Sequence, residues 1–166
     1  MAVTTEQIRR LREETGAGIM DCRRALEEAG GDHEQARGVL RERGLAAVAK
    51  KSTREARQGL VEAYIHAGGR IGAMVEVNCE TDFVARTDQF RALVREIAMQ
   101  VAAMNPPRIG TEAPDGRVSD GDCQPLLEQP WIRDGSKTIR DLVNDAIAQL
   151  GENVVVRRIA RFELGA

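Results

Sequence analysis

The residues of this chain that could do chemistry are few. Cys79 and His66 could pair as a nucleophile and its base, and Glu80 with Asp82 could act as paired carboxylates or as two ligands of a cation. A thiol nucleophile needs its base within hydrogen-bond reach. The alternation of the segments that carry them puts Cys79 on an apolar face and His66 on the other, so the pair is not expected to meet. Two neighbouring carboxylates without a third ligand make a weak metal site, and capping of the following helix accounts for Asp82. Cys22, Cys79 and Cys123 are odd in number and far apart, and they form no CxxC, whereas structural zinc takes four clustered ligands. They are read as reduced thiols of a cytosolic protein. His33 stands beside a helix cap and is read as solvated. The sequence has no glycine-rich phosphate loop, no HExxH and no GxSxG. Neither an enzyme, a metal site nor a cofactor is expected.

What remains is a binding element. In Asn78-Cys79-Glu80-Thr81-Asp82-Phe83-Val84-Ala85-Arg86 an acid is followed at once by a large aromatic. The chain has only three Phe, one Trp and one Tyr, so a Phe at this connection is a scarce residue in an exposed place. Loops on a rigid scaffold carry function more often than the scaffold does.

The flanking patterns say what positions it. Ile71, Ala73, Val75, Val77 and Cys79 alternate as a strand. Before them Val61, Ala63, Ile65 and Ala67 point one way and Glu62, Tyr64 and His66 the other, with Gly68-Gly69 as a hairpin signal. After the stretch, Thr87 caps a helix whose apolar positions are Phe90, Leu93, Val94, Ile97, Ala98, Val101 and Met104, stopped by Pro106-Pro107. Residues 108–137 read as irregular. Thr138 with Asp141 opens another helix, closed by Gly151. Val154, Val156, Ala160, Phe162 and Leu164 then share a strand face. Arg158 falls on that apolar face, which a strand end or a bulge would explain.

The N-terminal part is helical. Thr4 and Gln7 fit a capping box, Gly16 and Gly18 break the first helix, and Gly30-Gly31 ends a second carrying Cys22, Ala25 and Leu26. Asp32 caps a third, which Gly44 is expected to interrupt. Ile19 and Met20, just after the glycines, are candidates for a contact surface; their spacing also fits core positions. Residues 50–57 read as a linker or a fraying helix end whose basic cluster could meet an acidic partner. The fold class expected is α+β: a three-helix bundle over residues 1–54, then, over residues 55–166, a three-stranded antiparallel sheet with helices packed on one face.

A net charge of −2 argues against broad nucleic-acid binding. No apolar run approaches the roughly 18–20 residues of a membrane helix. The opening Met1 to Glu6 has no basic segment leading into an apolar one, so no secretory signal is expected. A cytoplasmic binding protein follows.

The motifs are also recognisable. Thr15-Gly16-Ala17-Gly18-Ile19-Met20-Asp21-Cys22 and Glu76-Val77-Asn78-Cys79-Glu80-Thr81-Asp82-Phe83-Val84-Ala85-Arg86 resemble the two signature blocks of the bacterial elongation factor Ts family. Gly151-Glu152-Asn153, Val156-Arg157-Arg158 and Arg161-Phe162-Glu163-Leu164-Gly165 match its C-terminal pattern. The resemblance covers nearly the whole chain. It implies a guanine-nucleotide exchange factor that binds elongation factor Tu, both GDP-bound and nucleotide-free. In that family the helical module resembles a ubiquitin-associated domain and docks on the GTPase domain, while the Thr-Asp-Phe-Val segment pushes between two helices and disturbs the magnesium and phosphate contacts. Carried over by matching motif, the intruding residues are Thr81, Asp82, Phe83 and Val84, and Ile19, Met20 and Lys51 resemble docking positions. Longer members carry a second copy of the α+β unit and a helical insertion; here there is one copy, so contacts of the second are assigned to no residue. Arg23-Arg24 stand where Lys-Lys is common, which keeps the charge and changes the geometry. Free edges of a three-stranded sheet, and the pairing of shorter members, lead to the expectation of a homodimer. Two other readings compete: an adaptor that binds through the helical module alone, and a thiol enzyme at Cys79.

Overall fold

The computed structural model describes residues 3–110 and 124–165. Helices α1 (Thr5–Thr15), α2 (Ile19–Glu28) and α3 (His33–Lys51) come first. Thr4 and Gln7 close the capping box as the spacing predicts, and Asp32 accepts from the Gln35 amide at 2.8 Å. Gly16 leaves α1 with φ 67°, a left-handed turn that Gly adopts freely. Gly18 does not need that freedom, with φ −62°. Leu11, Cys22, Ala25, Leu26 and Ala36 are buried together in a small core.

Two expectations change here. Gly44 does not interrupt α3, which runs unbroken for 19 residues. A mid-helix glycine costs about 1 kcal/mol relative to alanine, and a Cβ on Gly44 would lie 3.6 Å from the Ala148 Cβ. That is ordinary contact distance, so the position would accept alanine, and the packing of a later helix against α3 is what carries the helix through the glycine. The stretch read as a linker is therefore helical up to Lys51, and Val48 packs into the second core. His33 is not solvated either: its side chain is mostly buried, with Nε2 3.6 Å from the Glu14 carboxylate.

Strands β1 (Gln58–Ile65), β2 (Ile71–Cys79) and β5 (Val154–Glu163) form an antiparallel sheet with β2 in the middle. The β1–β2 loop is longer than a two-residue turn, since the His66 amide bonds the Ile71 carbonyl and Gly68 and Gly69 both take positive φ within it. Ala73, Val75, Val77 and Cys79 face the helices, as the alternation predicts. The partner on β1 is the surprise. Leu60 and Tyr64 pack inward, while Val61 and Ile65 are 61% and 64% exposed on the outer face. On β5, the register slips between Val77 and Glu76, leaving Arg157 without a partner. This bulge reverses the strand's phase. Val154 and Val156 point inward before it; Ile159 and Arg161 do so after it, and Arg161 Nε donates to the Ala102 carbonyl at 2.9 Å. Arg158 is carried to the outer face, where it pairs with Glu76 at 2.6 Å. Phe162 goes with it and is 73% exposed.

Helix α4 (Asp82–Ala85) is a single turn, and α5 (Asp88–Met104) is the long helix across the sheet. Asn105 ends α5 in the left-handed conformation before Pro106. Residues 111–123, with Pro114, the two Asp-Gly pairs and Cys123, lie outside the described residues. The remainder of the stretch read as irregular has structure. A 3-10 turn at Leu126–Glu128 leads into a small hairpin of β3 (Pro130–Trp131) and β4 (Asp134–Thr138). Buried Gln100 holds it: Nε2 donates to Gln129 Oε1 and the Pro130 carbonyl, each at 3.1 Å, and Oε1 accepts from the Ile132 amide at 3.0 Å. A buried amide must find such partners; Glu96 adds a bond from Trp131 Nε1 at 3.2 Å and an ion pair with Arg133, and a hairpin held by polar side chains of α5 leaves little trace in a hydropathy pattern. Helix α6 (Ile139–Leu150) starts on the Thr138–Asp141 capping box and ends at Gly151. The class is α+β, with helices on one sheet face and the other face uncovered by the described residues.

Candidate functional site

The turn between β2 and α5 is built from both sides. Cys79, the last residue of β2, donates through Sγ to the Thr81 carbonyl at 3.1 Å. Thr81 is the N-cap of α4 and accepts from the Val84 amide at 3.4 Å. Thr87 caps α5 through the Phe90 amide at 3.2 Å and donates to the Val84 carbonyl at 2.8 Å. The segment that reads as an open connection is thus a helical turn between two threonine caps. Asp82 does not cap the following helix. It lies in the first turn of α4 and pairs with Arg86 at 2.9 Å.

This frame gives the four residues different surroundings. Ala85 is buried and Val84 packs against the main core, which fixes the turn from beneath. Thr81 is tied down by its hydroxyl. Phe83 points away from all of this and is 79% exposed, the most exposed of the large hydrophobic side chains among the described residues. Leaving that ring in water forgoes roughly 1.5–3 kcal/mol of burial, which a partner's pocket can recover.

Ile19 and Met20 open α2 behind Gly18, with 56% and 59% of their surface exposed; they are not core. Lys51 is half-buried, and its ammonium donates to the Ile147 carbonyl at 3.4 Å. One side chain that the sequence reading missed ties the end of α1 to the start of α5. Gln149, on α6, donates to the Thr15 carbonyl at 3.1 Å and accepts from Gln89 in the first turn of α5. Glu152 and Asn153 were also missed as site residues. Glu152 accepts from the Glu80 and Thr81 amides, and Asn153 donates to the Arg54 carbonyl just beyond α3. The one local signal was a polar pair placed directly after a helix-ending glycine.

The geometry offers no reaction centre at Cys79. The reason differs from the one the alternation suggested, because Tyr64 faces inward and His66 shares its parity. Distance separates the pair: Cys79 lies opposite Gln58, at the far end of β1 from His66, about 25 Å away at strand rise. Burial pushes the Cys79 thiol up to about 11, with the Glu152 charge adding to the rise. A thiol so protonated is a poor nucleophile at neutral pH. Iodoacetamide at pH 8 is expected to leave Cys79 unmodified in the folded chain and to label it in urea, read by peptide mass spectrometry; native-state labelling at the rate of a free thiol would contradict this. No cluster of three potential metal ligands occurs among the described residues. No helix among them is long and apolar enough to cross a membrane.

Comparison with known proteins gives a consistent answer. A family model described as Elongation factor TS matches residues 46–120 and again 80–166. The elongation factor Ts of Caldanaerobacter subterraneus subsp. tengcongensis is 50% identical over 194 aligned positions, covering 98% of this chain and 97% of the relative. That of Coprothermobacter proteolyticus is 47% identical, covering 99% and 100%, and that of Geotalea uraniireducens 45%, covering 99% and 91%. These alignments are longer than the chain, so the relatives carry residues that have no counterpart in it.

Proposed function

The chain belongs to the elongation factor Ts family, and from that premise we propose that it is a guanine-nucleotide exchange factor that binds GDP-bound elongation factor Tu and promotes GDP release. The observation that carries the reading is the presentation of Phe83: a ring 79% exposed on a turn whose other residues are anchored. Driven between two helices of the partner, with Asp82 beside it, the ring gains burial and moves the shell of the bound magnesium. Magnesium tolerates little departure from octahedral geometry, so a small shift weakens nucleotide binding. Exchange is then negative coupling between two ligands of one GTPase, and nucleotide must weaken the factor as much as the factor weakens nucleotide. The factor breaks no covalent bond and needs no cofactor, nucleic acid or membrane. It works where elongation factor Tu works, in the cytoplasm.

In this reading residues 1–54 form a docking module similar to a ubiquitin-associated domain, and residues 55–166 the core. Ile19, Met20 and Lys51 are the docking positions. An ammonium has three donors, so the Ile147 bond does not exhaust Lys51. Wild-type protein at micromolar concentration is expected to accelerate release of labelled GDP from elongation factor Tu. Unchanged release, with binding confirmed by titration, would favour an adaptor that docks through the helices alone.

The outer face of the sheet supports a homodimer. Val61, Ile65, Met74, Phe162 and Leu164 are all at least half exposed there, and apolar patches of this kind mark association surfaces. Two copies stacked face to face would cover each other's sheets at the usual spacing of about 10 Å. Light scattering is expected to give twice the mass of one chain, and Phe162→Asp to halve it. A wild-type mass of one chain at working concentration would end the dimer reading.

A further inference from the structure

The sequence Gly151-Glu152-Asn153 matches the family pattern, yet the exchange reading gives it no task. In the fold it is the corner where α6 turns into β5, and it meets the site backbone directly. Gly151 takes φ 77°, which ends α6 and turns the chain toward the end of β2. Glu152 Oε2 accepts from the amides of Glu80 and Thr81 at 3.1 and 3.0 Å, and Oε1 accepts from the Thr81 hydroxyl at 2.6 Å. The grip is returned, since Glu80 Oε1 accepts from the Asn153 amide at 2.6 Å. Asn153 Nδ2 reaches further, donating to the Arg54 carbonyl at 2.8 Å and the Ser52 carbonyl at 3.5 Å, just beyond α3.

The direction of the hydroxyl bond matters. A threonine hydroxyl has one proton and two lone pairs. With its proton committed to Glu152, the Thr81 oxygen is left to accept from the Val84 amide, the bond that caps α4. Glu152 thereby orients the atom that closes the turn carrying Phe83. The residues concerned lie 71 and 72 positions apart in the chain, so the contact fixes the turn relative to α6 and, through Asn153, to the end of the docking helices.

We propose that Glu152 is a positioning residue for exchange: its carboxylate sets the orientation of the α4 turn, so that Phe83 meets the partner already aligned. The proposal rests on the exchange-factor reading above. It separates two quantities that a loss of folding would move together. Docking through Ile19 and Met20 is untouched by Glu152, whereas the displacement step depends on it.

The test is GDP release from elongation factor Tu at saturating factor, with Glu152→Gln, Thr81→Val and Thr81→Ser. Glutamine keeps the shape of Glu152 but turns one acceptor into a donor, so it cannot accept all three bonds. Loss of a charge-assisted hydrogen bond to the site is expected to lower the maximal release rate roughly tenfold. The half-saturating concentration should change less than twofold. Thr81→Val should give a similar loss, Thr81→Ser should restore most of the rate, and the double variant Glu152→Gln with Thr81→Val should lose little more than either alone. Amide hydrogen exchange at Glu80, Thr81 and Val84 should quicken in Glu152→Gln in the isolated factor, with the core amides of α5 unaffected. A Glu152→Gln variant that saturates to the wild-type rate would overturn the proposal and leave the exchange reading standing. So would a rise in half-saturating concentration at unchanged maximal rate. A wild-type chain that fails to accelerate release would overturn both readings, even with the amide result as expected.

Discussion

Phe83→Ala is expected to leave the fold intact and to remove most of the acceleration of GDP release. The ring is 79% exposed in the free chain, so the folded state draws almost nothing from it. Surface substitutions of this kind change stability by no more than about 0.5 kcal/mol. In the complex the same ring would be buried, a gain of roughly 1.5–3 kcal/mol. At 1.4 kcal/mol per factor of ten, its loss lowers stimulated release by about 10- to 100-fold. Binding to nucleotide-free elongation factor Tu weakens at most by the same factor, while docking to the GDP form, through Ile19 and Met20, persists. Stopped-flow release of a fluorescent GDP, with thermal melting of both factors as control, measures each part. A Phe83→Ala variant that stimulates release normally would remove the ring from the mechanism. Asp82 should matter less, since it faces solvent beside Arg86 and its exposed ion pair is worth under about 1 kcal/mol.

Local chemistry was legible in the sequence wherever the determinant lies within a few residues. Both capping boxes, the Asp32 cap and the helix from Thr87 follow from spacings of three and four. So does the strand through Val75 and Val77, because its inner residues alternate without interruption. The misreadings arise where a distant element decides. Alternation says that Val61 and Ile65 share a face but not which face the helices cover, and Leu60 and Tyr64 won the inner side. One unpaired residue, Arg157, reverses the rest of β5 and moves Phe162 outward. Gly44 reads as a break until α6 is seen against it. At the site, the Asp82-Phe83 pair stands out by composition alone, but Glu152 cannot, because its three bonds join positions far apart in the chain. The exposed ring is a local fact; the frame that aims it is a tertiary one.

Phe90→Ala tests the other side of that distinction. Phe90 lies seven positions beyond Phe83, in the first turn of α5, and is fully buried. It packs in the main core with Val94, Ile97 and the inner residues of β2. Truncating a buried phenylalanine removes its burial energy and leaves a cavity that the close-packed neighbours refill only in part, at a cost of about 3–5 kcal/mol. Against a total stability of about 5–15 kcal/mol, that is a third or more of what holds the chain folded. Urea unfolding should show a much lower midpoint with an unchanged slope, since the surface exposed on unfolding is nearly the same. The functional signature should be the reverse of that at Phe83. At a temperature where the variant is still folded, the ring that enters the partner is present and Thr81 is still held by Glu152, so release per folded molecule is retained. An unchanged urea midpoint would mean that Phe90 is not the centre of the core. A folded Phe90→Ala protein without exchange activity would mean that the α4 turn is set by core packing beneath α5 more than by its caps.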